Sequence, residues 1–567
     1  MKKRVISMLL ATLMVGGALA GCSKGNAGGG ATASEDGGSA SDGKVKEFTA
    51  FFSVPHAEIN DDNEIQQIIA EKTGAKVKET WLTGQTAEEA VGTLIAGGEY
   101  PDFVDAGDGS VQMYEAGALV ALDDYLDSGN YPNIKEFFTD QEWDSLRQSD
   151  GKIYWIPQFS NIYGEERVCA HNDEAFWIQT RVLEEAGYPK VETMDEYFDL
   201  IEGYYEKHPT MEDGTPIIPY TILCEDWRYF CLENAPQFLD GYPNDGSVIV
   251  DTNTMKIVDY NTTETAVKYF KKLNEEYKKG IVDKESFTQT YDEYIAKLST
   301  GCVLGMIDQW WDFAYTAGDA LKAAGLDKKG CQYVPLPITI EKGMKNQWHN
   351  SGGIVHTSSG LAITTSCKDV EGALKFVDDL LSQEIMDLRF WGVKDVDYQV
   401  GDDGMYSKTQ EMRDNDADTA YKASHKCEYA YFPQWEGTSR DGKNAMKPEQ
   451  QETEFYDGLS DDLKKCFSAY GVKTYVEMLG TTPAPGPWYP MYTFSQTMTT
   501  ATPGGTAWRS MEDCKHQYLP KVVMADDFDA GWKEYMDAYN ACKPEDFLSE
   551  MQTELDRRLA EAAKYEN

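Results

Sequence analysis

Basic residues are scarce in this 567-residue chain: 52 Lys and Arg stand against 96 Asp and Glu, a net charge of −44. Nucleic-acid binding rests on neutralising phosphates with basic side chains, so this balance excludes it as the main activity. The same field disfavours polyanionic ligands unless a local Arg cluster overrides it. Beyond its first 20 residues the chain has no run near the ~18 apolar residues that mark a membrane-spanning helix. The eleven Cys include no CxxC pair. The seven His stand apart except for His349 and His356, which lie seven positions from each other with no Cys nearby, a poor zinc signature. HExxH, GxSxG and P-loop patterns are absent, which leaves no recognisable hydrolase or nucleotide site and no implied cofactor. With 96 acidic residues, any pair of carboxylates can be imagined as a glycosidase couple, so their number carries no catalytic signal.

What is present begins at the N-terminus. Lys2, Lys3 and Arg4 precede an apolar run from Val5 to Ala20, and Leu19-Ala20-Gly21-Cys22 follows. A basic head, a short apolar stretch and small residues before a Cys form a secretory signal ending in a lipobox-like motif, at which the new N-terminal Cys22 is lipidated. Ser23 to about Gly43 is almost entirely Ser, Gly, Ala, Asn and Asp, a composition that cannot bury enough apolar surface to order itself. Losing the leader removes three positive charges and no negative one, so the mature body carries about −47. The roughly 520 residues that remain exceed one hydrophobic core and predict at least two domains. The ten Cys from Cys169 to Cys542 are either buried thiols or partners in one or two bridges.

Along the body, Val45–Phe52 reads as a strand, Asn63–Lys72 as an amphipathic helix stopped at Thr73-Gly74, and Ala75–Trp81 as a second strand. Thr86–Ala96 reads as a helix and Tyr100–Asp105 as a third strand. This alternation predicts an α/β fold with a parallel sheet and a ligand near the strand carboxyl ends, which supply Trp81, Asp105 and Asp108. Thr193–Glu196 is a capping box, Ser247–Tyr260 a hairpin turning at Asn253-Thr254, and Glu264–Lys279 a helix ended by Gly280.

The order of lipobox, polar tether, Lys72-Thr73-Gly74, Tyr100-Pro101-Asp102 and the Tyr154–Pro157 strand resembles the extracellular solute-binding proteins of the ABC-transporter sugar class. Gly301–Met306 followed by Trp310-Trp311, Gly360–Ile363 with Ser366–Asp369, Trp391-Gly392-Val393, Phe528–Trp532 and Met551–Arg558 extend the likeness over nearly the whole mature chain. The resemblance implies two α/β lobes, a hinge of crossing strands and a ligand cleft between them. Residues 1–21 would be the signal and 22–44 the lipidated Cys with its linker. Lobe one would take 45–158 plus 352–430, and lobe two 159–351 plus 431–567. It further implies a monomer that hands an oligosaccharide to two permease subunits driven by a cytoplasmic ATPase. A surface-anchored glycan hydrolase or lyase, and the same binding fold accepting peptides, are the competing readings. Large alginate-binding relatives carry an EF-hand-like calcium loop at about Lys207 to Pro219. Here Met211–Pro216 lacks the spaced acidic ligands, and Asp251-Thr252-Asn253 lacks the later Gly and Glu, so no calcium or other metal site is expected.

Thirteen Trp and 34 Tyr carry the strongest functional signal. Pyranose rings pack their C–H faces on aromatic faces, and their hydroxyls need carboxylates, amides or guanidinium groups. The expected ligand contacts are therefore Trp81, Asp105, Asp108, Trp177, Trp227, Arg228, Trp310, Trp311, Asp312, Trp391, Trp435 and Trp488. At least two of Trp227, Trp310, Trp311, Trp391, Trp435 and Trp488 should line the cleft. Of Trp310 and Trp311, one should face the cleft and the other the core, as neighbours on an extended chain do. The predicted cargo is a neutral oligosaccharide.

Overall fold

A computed structural model describes residues 45–159, 161–352 and 355–564. The signal, Cys22 and the tether lie outside them.

The first sheet follows from local patterning. In β1 (Lys46–Phe52) alternate residues Phe48, Ala50 and Phe52 point inward, and β1 pairs in parallel with β2 (Ala75–Trp81). The helix between them, Glu64–Thr73, is capped by Asn63, whose side chain accepts the Gln66 amide at 3.0 Å. It is closed by Gly74 in the left-handed region. Thr86 and Glu89 form a full capping box on the next helix, Ala87–Gly97. The third strand, β3, starts at Phe103 rather than Tyr100. Pro101 has no amide to give a ladder, and the Asp102 carboxylate accepts the Thr49 amide at 2.8 Å in place of a backbone partner.

Strand order in this sheet is β2-β1-β3-β12-β4, where β4 is Trp155–Ile156 and β12 is Leu361–Ile363. The expected parallel arrangement holds for β1, β2 and β3. Strand β12 runs antiparallel to both of its neighbours, so the sheet is mixed. The second sheet has four strands in the order β11-β6-β10-β7: Tyr333–Leu336, Glu174–Gln179, Val303–Gln309 and Ile218–Tyr220. Between its strands lies the predicted hairpin, β8 (Ile249–Asp251) and β9 (Lys256–Val258). Asp251 closes that turn itself, accepting the Asn253 amide at 2.9 Å and the Thr254 hydroxyl at 2.8 Å. Asp213 likewise accepts the Thr215 amide at 2.9 Å in the other loop compared with a calcium site.

Each sheet sits in its own core. One core runs from Phe48 to Ile156 and from Leu361 to Met446, the other from Ala175 to Trp348 and from Leu463 to Leu555. Phe432, Trp435 and Met446, assigned by the sequence to lobe two, pack in the first core. The chain after Gly437 folds back under lobe one, where the Trp391 indole donates to Ala445 O at 3.0 Å and Arg440 pairs with Glu136 at 3.1 Å. The ten described Cys are all unbridged thiols, nine of them buried.

The lobes are joined by three crossings. One of them runs through β5 (Asn161–Tyr163), which pairs in parallel with the lobe-one strand Trp435–Gly437, and another falls between Met446 and Leu463. Gly437 has φ 87°, and a Cβ there would stand 2.8 Å from the carbonyl oxygens of Tyr163 and Glu165, so the close approach needs glycine. Beside the third crossing the His349 ring meets His171, Nδ1 to Nδ1 at 3.2 Å, while His171 Nε2 lies 2.9 Å from Glu174 O. Nε2 of His171 therefore carries the proton, and His349 donates to the bare Nδ1 of His171. Away from the hinge the lobes meet again, where Lys422 of lobe one pairs with Asp319 and Lys322 of lobe two approaches Asp414 at 3.7 Å.

Candidate functional site

Two aromatic groups, one from each lobe, face the space between the sheets. Lobe two contributes Trp227 and Trp311, 38% and 36% exposed, stacked at 5.7 Å with 15° between their planes. Trp227 stands on the single-turn helix Asp226–Tyr229, entered through Asp226 at φ 53°. Arg228 lies beneath, its guanidinium 4.4 Å over the Trp227 ring and 4.0 Å over Tyr291. Its Nε reaches both oxygens of Asp312, at 2.9 and 3.1 Å, and the Tyr291 hydroxyl donates to Asp312 O at 2.7 Å. Burial pushes the Asp312 carboxyl up, and Arg228 opposes the shift. Asp312 and Arg228, both buried, thus fix the tryptophan pair from behind.

The lobe-one group is Trp81, His56, Tyr431 and Phe159. His56 stacks on Trp81 at 4.4 Å, and Tyr431 meets Trp81 edge-on at 5.4 Å and Phe159 at 5.3 Å. Asp105 ends β3 and is committed inside the lobe, accepting Gln158 Nε2 at 2.8 Å and the Gly107 amide at 2.9 Å. Asp108, one turn later, is open to solvent yet walled in by both lobes. The surrounding protein raises its carboxyl, Arg509 opposes, and Asp226 adds to the rise. Asp226 in turn feels Glu88 of lobe one, and Tyr431 feels Arg228 and Asp312 of lobe two. The cleft continues to Tyr315, 58% exposed, whose hydroxyl is raised first by desolvation and then by Glu449, Glu436 and Glu428. Carboxylates outnumber basic groups along this wall.

Of the predicted contacts, the structure gathers Trp81, Asp105, Asp108, Trp227, Arg228, Trp311 and Asp312 around one opening. Trp310 is half-buried against Trp177 at 5.1 Å and Tyr475 at 4.8 Å. The pair does divide between core and surface, though not by strand alternation: β10 ends at Gln309 and the helix Trp310–Ala323 begins with these residues. Side chains one apart on a helix diverge by about 100°.

Four expectations are corrected by packing. Trp177 is fully buried, its indole donating to Asp308 O at 2.8 Å. Trp391 is fully buried against Tyr398 and Tyr406. Trp435 is wedged between Phe137 and Tyr163 at 4.8 and 5.3 Å, and Trp488 lies against Gly486 with 3% exposed. None of the four offers a ring face to a ligand. Trp81 is covered too, with Phe52 at 4.8 Å and His56 beside it, so His56 and Tyr431 take its place at the surface. His56, Tyr431, Tyr315 and Arg509 were not found by the sequence reading. Arg509 comes from the helix Pro503–Met524, some 400 residues after Asp108, and no local pattern marks it.

Two lobes, a hinge of crossing strands and an aromatic-lined cleft define the class of the periplasmic binding proteins. The family model described as "Bacterial extracellular solute-binding protein" matches residues 64–391, and the chain belongs to that family. It is similar to the fructooligosaccharide ABC transporter substrate-binding protein FusA of Streptococcus pneumoniae, 25% identical over 338 residues, which are 56% of this chain. That match spans 58% of the FusA relative's own length. Lipoprotein LipO of Bacillus subtilis is 23% identical over 419 residues, 71% of this chain and 74% of LipO. Among solved structures, alginate-binding protein AlgQ2 without calcium superposes with a TM-score of 0.61 at 17% identity, covering 91% of this chain and 99% of that one. FusA in complex with kestose gives a TM-score of 0.60 at 17% identity, over 91% and 100%.

Proposed function

We propose that this protein is the lipid-anchored, monomeric receptor of an ABC importer, and that it captures a neutral oligosaccharide and releases it, uncleaved, to the permease. The observation that carries this reading is the exposed Trp227–Trp311 stack, held from behind by the Arg228–Asp312 pair and opposed by His56 and Tyr431 on the other lobe. Sugar rings lie on such faces, and their hydroxyls find Asp108, Asp226 and Arg509 at the rim. Contacts to both lobes stabilise the closed form, and closure is the signal a permease can read. The carboxylate-rich wall repels anions within roughly a Debye length, about 8 Å at physiological salt, so a uronate polymer is the wrong cargo. The likeness to FusA, a fructooligosaccharide transporter's substrate-binding protein, and to the lipoprotein LipO supports an oligosaccharide and a lipid anchor respectively.

A thermal-shift screen against fructo-, malto- and manno-oligosaccharides tests the reading, since a bound ligand raises the melting temperature by mass action. The best neutral glycan is expected to bind almost equally at low and high salt and to be recovered intact after incubation. A preferred uronate polymer whose affinity collapses with salt would overturn the choice of cargo. For the anchor, Cys22→Ala is expected to move the protein from the membrane fraction to the soluble fraction. Retention of that variant in the membrane would exclude lipidation at Cys22.

A further inference from the structure

Near Trp227, polar atoms from two distant segments converge, Glu233 buried and Glu512 and His516 half-buried. Glu233 ends the short helix Phe230–Glu233, while Glu512 and His516 stand one turn apart on a single face of the helix Pro503–Met524. One ligand atom from each of the three lies within 4.8 Å of the others. Lys515, fully buried, approaches one oxygen of each acid, Glu233 Oε1 at 3.1 Å and Glu512 Oε1 at 2.6 Å. Among the described residues, Glu233 Oε2 is buried with no hydrogen-bond partner. Glu233 is itself only 6% exposed. A buried carboxylate oxygen left in this state costs about 1–3 kcal/mol or more, so such a group asks for an occupant.

We infer that Glu233, Glu512 and His516 bind one divalent transition-metal ion, with Zn2+ the best fit. Two carboxylate oxygens and one imidazole nitrogen make the three-ligand set of an open zinc site, whereas calcium needs six to eight oxygens. The local field favours a cation, because Glu233 acts on Glu512, and Glu512, Asp226 and Asp513 act on His516, against the single charge of Lys515. Lys515 takes one oxygen of Glu233 and leaves Oε2 free for the metal. The His516 ring is held in plane by Tyr229, stacked at 3.6 Å and 19°. Ligands about 2.1 Å from zinc sit ~3.4 Å apart, so the three groups close in by ~1 Å when the ion enters. The ion ties the Pro503–Met524 helix to the segment Asp226–Glu233 from which Trp227 projects. The inference stands apart from the choice of sugar.

The test uses the mature chain stripped with EDTA. Titration with Co2+ alone is expected to give visible d–d bands that saturate at one ion per chain, and calorimetry with Zn2+ alone to give the same stoichiometry. Calcium is expected to give neither. His516→Ala and Glu512→Gln are each expected to lower Zn2+ affinity by at least about tenfold with an unchanged circular dichroism spectrum. Should the Ala variant not fold, the isosteric Glu512→Gln decides. An absence of Zn2+ binding by the wild type means the cluster holds water and overturns the site, as does binding that the folded variants retain in full.

Discussion

Trp311→Ala is expected to weaken binding of the preferred glycan by about 2 kcal/mol, roughly thirtyfold, and to leave the fold intact. The ring is 36% exposed and its face lies parallel to Trp227, so truncation removes half of the platform and opens no core cavity. Trp310→Ala should do the reverse. Its half-buried ring packs on Trp177, Phe313 and Tyr475, and deleting it should cost somewhat less than the about 3–5 kcal/mol of a fully buried indole. Calorimetry and denaturant unfolding on the two variants separate the roles. If Trp311→Ala binds as tightly as the wild type, the stacked pair is not the sugar platform. If Trp310→Ala keeps its stability, the packing described for it is wrong.

The second large effect is on acid stability. Burial holds the imidazoles of His171 and His349 down to about pKa 4, each from an ordinary value near 6.5. The folded protein keeps both rings neutral while the unfolded chain takes up protons below pH 6.5. Their contribution is therefore complete above pH 6.5 and drains away as the pH falls towards 4. For the fully buried His171 the loss is about 3 kcal/mol. Asp245 works against it in the same window. Its carboxyl is raised to about 6 by burial, so it favours the folded state more as the pH falls. The measurement is accordingly a difference: wild type against His171→Gln/His349→Gln, unfolded by denaturant at pH 7 and pH 4.5. The wild type should lose ground relative to the double variant as the solution is acidified, and a constant gap between them would show that the pair is not held neutral.

The parts of this protein legible in its sequence are those written by near neighbours. Asn63, Gly74 and the Thr86/Glu89 box mark their helices because caps act within a turn, and Phe48, Ala50 and Phe52 mark a half-buried strand by alternation. Trp227-Arg228 and Trp310-Trp311-Asp312 stood out as aromatics beside charges, and the fold brings them together through Arg228 and Asp312, 84 positions apart. Burial was the part that did not show. Trp177 lies on β6, whose six residues are all buried, its polar ends Glu174 and Gln179 included, so polarity marks no outer face. Trp435 also sits next to a charged residue, Glu436, and Trp391 lies two positions after Arg389, and only long-range packing turns their rings inward. Tyr431 and Arg509 reach the cleft from segments far along the chain.

The place of β12 in the first sheet has a consequence for how the chain matures. Leu361–Ile363 lies between β3 and β4, and its backbone pairs with both. Until residue 363 has emerged, β3 and β4 have no common partner, and the core that rests on them still waits for residues as late as Met446. Lobe one is therefore first in sequence but cannot be first to finish. Lobe two has the same problem, since its core draws on the helix Pro544–Ala562. Sequence separations this long slow folding and leave strand edges exposed meanwhile. The crossings that join the two lobes thus also make folding a late, all-chain event, with little of the molecule able to settle during synthesis.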